Sequence, residues 1–204
     1  MSSKTYFDQV AQKWDAMRAS FFSEQVREKA YAAAQVRAGE YAADIGAGTG
    51  FIAEGLRQRG LRVIAVDQSE AMLAELSRRF DGIDCRLGGE VNLPIPSATM
   101  DHAFANMYLH HVESPRNAIQ EMARIVKPGG KVVITDLDEH QFEFLRTEQS
   151  DRWMGFKRED VRQWFVGAGL KNVVVDGVGA NCCADSKCGS EHARVDIFVA
   201  SGEK

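Results

Sequence analysis

Two clusters in the sequence carry residue types that can do chemistry. In "ADIGAGTG", Asp44 stands two positions ahead of Gly46, with Gly48 and Gly50 at alternate places, and Asp67 follows nineteen residues after Gly48. Glycines spaced in this way leave a bare backbone whose N–H groups a ligand can approach at a helix start. A dinucleotide loop asks for glycines at relative positions one, three and six. Here the sixth place holds Phe51, and a carboxylate stands where a diphosphate would be repelled. Asp44 suits a ligand carrying an ammonium group. Asp67, placed at the end of the next strand, can accept hydrogen bonds from both hydroxyls of a ribose.

Loop and acid together describe adenosine with a cationic tail, and S-adenosylmethionine meets that description. The competing reading, that the glycines only make a tight turn, is weakened by two acids in the expected order.

The second cluster is "ANCCADSKCGSEH", with Cys182, Cys183 and Cys188 within seven positions. Three readings stay open for it. Soft thiolates select thiophilic metals and metalloids, so the cysteines can hold such a substrate. Cys183, Cys188 and His192, with Cys182, can instead form a zinc site, although adjacent ligands strain a tetrahedron. Alternatively the thiols merely pack. Cys85 reads as a small core residue. His110 and His111 form a third candidate group, as general bases for an acceptor that must lose a proton. Against this, one reads as a packing residue and the other as solvated.

These residues need a scaffold, and the pattern supplies one. Short β-branched runs alternate with helical periodicity, which marks a parallel sheet covered on both faces. Strands are expected at 41–45, 62–66, 84–87, 101–105 and "KVVITDL". A helix is expected from a Ser23 N-cap to Val36, and others after Ser69 and at Ser114–Pro115, the latter ending at "KPGG". A helical region then runs to Gly167 and Gly169. "NVVVDGV" and "RVDIFVAS" are joined without room for a helix and read as an antiparallel hairpin. The expected fold is an α/β, Rossmann-like doubly wound seven-stranded sheet: five parallel strands plus a C-terminal antiparallel hairpin. It forms a single domain, 1–204, in which 1–38 supplies lid helices and 39–204 the core. If "NVVVDGV" runs parallel to the earlier strands, the cysteine tip lies at their carboxyl edge, with Asp136, Asp138 and His140.

The 204 residues, 45% hydrophobic and 26% charged, suffice for one sizeable core, and the net charge of -4 favours neither nucleic acid nor an anionic membrane. Apolar runs are strand-sized, and the first residues lack a signal peptide's apolar stretch. A cytoplasmic protein is the expectation. No internal repeat is present.

"ADIGAGTG", "VIAVDQSEAML", "LPIPSATMDHAFANMYLHHV" and "EMARIVKPGGKVVITDL" resemble the successive motifs of class I S-adenosylmethionine-dependent methyltransferases. The likeness spans about residues 5–175 and is greatest to the type 11 branch with the ubiquinone/menaquinone C-methyltransferases, whose opening segment "YFDQVAQKWD" also resembles. The resemblance implies that Asp44, Gly46, Gly48 and Gly50 line the methionine and ribose region. It further implies that Asp67 holds the ribose, Gln68 and Met72 border adenosine, and Asn106 lies near the transferred methyl. Tyr6, Phe7 and Trp14 would close a lid, a role that a plain amphipathic helix also explains. Relatives usually carry an acid before the "LP"; here Gly88, Gly89 and Glu90 stand there, so either Glu90 or backbone alone meets the adenine.

The expected function is methyl transfer to a small molecule, with S-adenosyl-L-methionine as cofactor and no obligatory metal. The alternative is a sensor that binds cofactor or metal without turnover. A nicotinamide dehydrogenase is disfavoured by Phe51 and Asp44.

Overall fold

The computed structural model describes residues 3–204. Seven strands form one sheet: β1 (Tyr41–Ile45), β2 (Arg62–Asp67), β3 (Ile83–Leu87), β4 (Met100–Asn106), β5 (Val126–Leu137), β6 (Lys171–Asp185) and β7 (His192–Glu203). Their order is β3-β2-β1-β4-β5-β7-β6. The first five pair in parallel, β7 pairs antiparallel to β5, and β6 pairs antiparallel to β7. β6 therefore runs with the parallel strands, and the turn after it lies at their carboxyl edge.

Successive strand residues point to opposite faces, and the core divides accordingly. Ala43, Ile64, Ala103 and Val132 face Ile119 and Met122 of α6 (Pro115–Ile125) and Phe165 of α8 (Arg158–Gly167). Their neighbours Ala42, Val63, Phe104 and Val133 face α3 (Gln25–Ala34) and α4 (Phe51–Gln58). Leu76, on α5 (Glu70–Arg79), completes that second layer. Among the described residues of the 1–38 segment expected as lid, α1 (Ser3–Val10) and α2 (Trp14–Phe21) lie over the carboxyl edge, whereas α3 packs Ala30 and Tyr31 into the core.

Local chemistry explains most boundaries. The Ser69 and Ser114 hydroxyls accept the N–H groups of Met72 and Asn117, capping α5 and α6, and Pro115 opens α6. The expected Ser23 cap is displaced: α3 starts at Gln25 and ends where Gln35 turns left-handed at φ 59°.

Two further expectations change. "KPGG" is not the end of α6; the helix stops at Ile125, and these residues extend β5 through a register shift opposite Met100–His102. The helical stretch before Gly167 splits into α7 (Glu143–Glu148) and α8, with residues 149–157 as a connection between them. The final hairpin is also longer than its apolar runs suggest. Cys182 and Cys183 pair with Val195 and Arg194 inside it, and a register shift between Gly177 and Asn181 bends β6.

Candidate functional site

Two adjoining cavities open at the carboxyl edge. The larger, about 390 Å³, is lined by Asp44, Gly46, Gly48, Asp67, Gln68, Met72, Glu90 and Asn106, while Gly50 instead faces Leu76. The smaller, about 50 Å³, is lined by His110, His111, Asp151, Cys182 and aromatic residues of the lid. Trp14, Phe22, Met107 and His111 border both.

The glycine loop has two demands on it. Gly46 (φ 70°), Gly48 (φ 52°) and Gly50 (φ 96°) all sit in the left-handed region. A Cβ on Gly46 would also lie 2.1 Å from Cδ2 of Tyr108, whose ring packs on the loop. Asp44, buried at the end of β1, accepts the Ala53 N–H at 3.0 Å from the start of α4. Burial pushes its carboxyl up to about 7, against that hydrogen bond and with help from nearby Asp67. Asp67 accepts the N–H groups of Gly48 and Ser69, both at 2.8 Å. Burial raises its pKa too, and the Ser69, Gly48 and Gln68 amides oppose the rise.

The remaining expected cofactor residues are gathered at the same cavity. Met72 is buried in its wall and Gln68 is exposed at its edge. The Asn106 Oδ1 accepts the Thr135 hydroxyl at 2.8 Å, which fixes that side chain at the end of β4. Glu90 borders the cavity, but its carboxylate accepts the Glu113 and Ser114 N–H groups at 2.9 and 3.2 Å. It thus anchors the start of α6.

The lid is tied to the loops it covers. Asp8 accepts the Ser69 hydroxyl at 2.6 Å, and Asp15 accepts the Thr49 hydroxyl at 2.7 Å while pairing with Arg79. Phe7 packs edge-on against both Trp14 and His111, at 5.2 and 5.0 Å between ring centroids. Tyr6 donates to the Gln149 Oε1 at 2.5 Å. Burial and then Asp151 push the Tyr6 hydroxyl up to about 12.

His110 and His111 stand in a short 3₁₀ turn after β4. Asp136, fully buried in β5, accepts the Tyr108, Leu109 and Leu137 N–H groups and meets His110 Nδ1 at 2.6 Å. On the other side, His110 Nε2 and His111 Nδ1 each lie 3.8 Å from Asp151 Oδ1. Burial disfavours charge on His110, but Asp136 and Asp151 outweigh it and push its pKa up to about 9. Burial and the neighbouring His110 charge hold His111 well below its usual value. Asp151 is pushed up to about 6 by burial, against the pull of His110.

The sequence reading missed Asp151, because "QSDRWMG" lay inside a stretch taken as helical. The sequence places Asp136 at this edge without indicating a role. Asp138, grouped with it, is occupied by Arg158 at 2.6 Å. His140 accepts the Phe142 N–H through Nδ1, and its buried Nε2 has no partner among the described residues.

The three thiols do not converge. Cys182 borders the smaller cavity, where burial, then Asp151, Cys183 and Asp136, push its thiol up to about 12. Cys183 is the next strand residue and faces the opposite way. Cys188 is exposed in the turn, where the Ser186 and Ser190 hydroxyls lower its thiol to about 7. His192 pairs with Asp185 at 2.7 Å. Among the described residues, the donors close enough to share one ion are those of His110, His111 and Asp151, so the ligand set expected of Cys182, Cys183 and Cys188 is not formed in this structure. Nor, among the described residues, is any helix long and apolar enough to cross a membrane.

The family described as "Methyltransferase domain" matches residues 43–134. A demethylmenaquinone methyltransferase of Paenarthrobacter aurescens is 36% identical over 135 residues, covering 65% of this chain and 53% of that protein. The Renibacterium salmoninarum protein of the same name is 32% identical over 151 residues, covering 72% and 64%. The chain therefore spans about half to two thirds of the length of these curated relatives. Among solved structures, a chain in the complex between the Haloferax volcanii Trm112 methyltransferase activator and a methyltransferase superposes with a TM-score of 0.79 at 20% identity. That match covers 99% of this chain and 97% of that one. Motif order, sheet topology and these matches together support a class I S-adenosylmethionine-dependent methyltransferase of the type 11 branch.

Proposed function

We propose that the chain transfers a methyl group from S-adenosylmethionine to a compact acceptor in the smaller cavity. The observation that carries this reading is the pair of adjoining cavities. One is walled by Asp44, Asp67 and a loop that tolerates no side chain at Gly46. The other is walled by His110, His111, Asp151 and Cys182.

The residues present fit the cofactor. Asp44 stands where an ammonium group would sit and Asp67 where ribose hydroxyls would reach. When bound, the cofactor supplies a methyl group made electrophilic by a sulfonium sulfur. The chain contributes alignment and dryness: Asp67 and Asn106 fix the donor's position, while Phe7 and Trp14 close over it and exclude water. An acceptor that carries a proton must lose it, and the His110–His111–Asp151 group lies where that proton would leave. A cavity of about 50 Å³ holds only a few heavy atoms, so a small acceptor or the reactive tip of a larger one fits it.

The position of Cys182 favours a more specific form of this reading, in which the acceptor is thiophilic and this one thiol holds it. Cys183 and Cys188 are then outside the acceptor's contacts. The test is a screen of acceptors, arsenite among them, by release of S-adenosylhomocysteine, repeated with Cys182→Ser. Turnover with arsenite that Cys182→Ser abolishes supports the thiophilic form, and turnover it leaves intact removes that form. Cofactor binding without turnover on any acceptor would favour a sensor.

A further inference from the structure

We propose that His110, His111 and Asp151 form a binding site for a divalent transition-metal ion, open to the smaller cavity. This goes beyond the methyl-transfer reading and does not depend on it.

The donor atoms of the three residues lie within 4.8 Å of one another. Two of the separations, from His110 Nε2 and His111 Nδ1 to Asp151 Oδ1, are 3.8 Å. Ligands at about 2.0–2.2 Å around a tetrahedral ion stand about 3.4 Å apart, so the side chains need only close in by fractions of an ångström to about 1.5 Å. Two imidazoles and one carboxylate are a set that suits zinc, cobalt or iron and leaves coordination positions free.

On the His110 side the surrounding shell has the form that such sites need. A ligating histidine usually gives its other ring nitrogen to a carboxylate or carbonyl, which fixes the ring. Asp136 Oδ1 meets His110 Nδ1 at 2.6 Å, leaving Nε2 for an ion. Asp136 is itself held by the Leu109 and Leu137 N–H groups, both at 2.8 Å. On His111 the Ser150 carbonyl lies 3.2 Å from Nδ1, the same nitrogen that faces Asp151, so this ring gives up that contact when it ligates an ion.

The three residues come from distant segments that the backbone binds together. The Arg152 and Trp153 N–H groups both donate to the His110 carbonyl, at 2.8 and 3.1 Å. Asp151 is thereby delivered to the histidines by main-chain bonds on its own following residues. Hydrogen bonds of this kind persist whatever occupies the site, so the arrangement is preorganised. The free side of an ion would face the cavity that also holds Cys182, outside the ligand set.

The experiment uses the full chain and Zn²⁺ and Co²⁺ alone. After loading and dialysis, metal analysis should find about one zinc per chain, and Co²⁺ should develop the visible bands of a four- or five-coordinate ion. Asp151→Asn, nearly isosteric, should weaken Co²⁺ binding at least about 10-fold, and Asp136→Asn about 10- to 100-fold. His111→Gln gives an independent reading from the other side of the ion, and metal-free thermal unfolding verifies that each variant is folded. Serine at Cys182, Cys183 and Cys188 should leave the Co²⁺ bands in place. The inference is overturned if Co²⁺ keeps its aqueous spectrum with the wild-type chain. It is equally overturned if folded Asp151→Asn and His111→Gln bind as the wild type does, or if the serine variant alone loses the metal. Calorimetry of the wild-type chain with S-adenosylhomocysteine is read separately, so failure of the cofactor reading is distinguishable from failure of the metal site.

Discussion

The Gly48 N–H donates to Asp67 Oδ2 at 2.8 Å, so one carboxylate ties the loop after β1 to the end of β2. The Ser69 N–H holds the other oxygen. The acid proposed for the ribose is therefore also the brace that shapes the glycine loop. Asp67→Ala removes both functions. Hydrogen bonds to charged groups contribute about 1.5–3 kcal/mol, so S-adenosylhomocysteine should bind about 10- to 100-fold more weakly by calorimetry. An unchanged dissociation constant would remove Asp67 from the cofactor site.

Gly46 is constrained from two sides, by its φ of 70° and by the Tyr108 ring 2.1 Å from where a Cβ would stand. Gly46→Ala should cost about 2–4 kcal/mol in urea unfolding, the sum of overpacking and left-handed strain. Adding Tyr108→Ala should recover the steric part and leave the backbone part. A double variant as unstable as the sum of its singles would show that the ring is not the obstacle.

The central strands were legible because β1 and β2 are apolar on both faces and lead into Gly46 and Asp67, and the glycine loop was legible because its residues are contiguous. The residues around His110 were not. Asp136 and Asp151 meet it from β5 and from a connection after α7, 26 and 41 positions further along the chain. No local periodicity encodes such a meeting. The thiols misled for the opposite reason. Adjacent in sequence, Cys182 and Cys183 suggest a shared ligand, but a strand sends neighbours to opposite faces.

The lid is held partly by Asp15, which accepts the Thr49 hydroxyl and pairs with Arg79. Asp15→Ala leaves the core contacts intact, so global stability should fall by about 1 kcal/mol or less. Cofactor release should quicken, about 3- to 10-fold in stopped-flow, because lid opening governs ligand escape. Unaltered release with easier proteolysis near Trp14 would separate the lid from cofactor retention.

Cys188 is exposed and its thiol is lowered to about 7 by the Ser186 and Ser190 hydroxyls, whereas Cys182 is enclosed beside the smaller cavity. Thiolate fraction and access set alkylation rates. Brief iodoacetamide treatment at neutral pH should therefore label Cys188 well before Cys182, as read by peptide mass spectrometry. Equal labelling would contradict the hairpin's placement of the two thiols.

Asp44 gives the chain a pH dependence whose sign can be worked out. Its carboxyl is pushed up to about 7 by burial, against about 3.9 in an unfolded chain. The folded state then holds the proton more tightly, so stability falls as pH rises between those two values. Cofactor binding runs the other way, because an ammonium group attracts the ionised form. Affinity for S-adenosylhomocysteine should rise about 10-fold between about pH 5.5 and 7.5, with proton release visible as a buffer-dependent heat. Asp44→Asn keeps an oxygen for the Ala53 N–H but cannot ionise. In that variant the binding profile should be flat over the window, with affinity near the acidic limit of the wild type. Asp67, which also shapes the Asp44 environment, is present in both proteins and cancels in the comparison. A slope that persists in Asp44→Asn would assign the titration to another group and place the ammonium elsewhere.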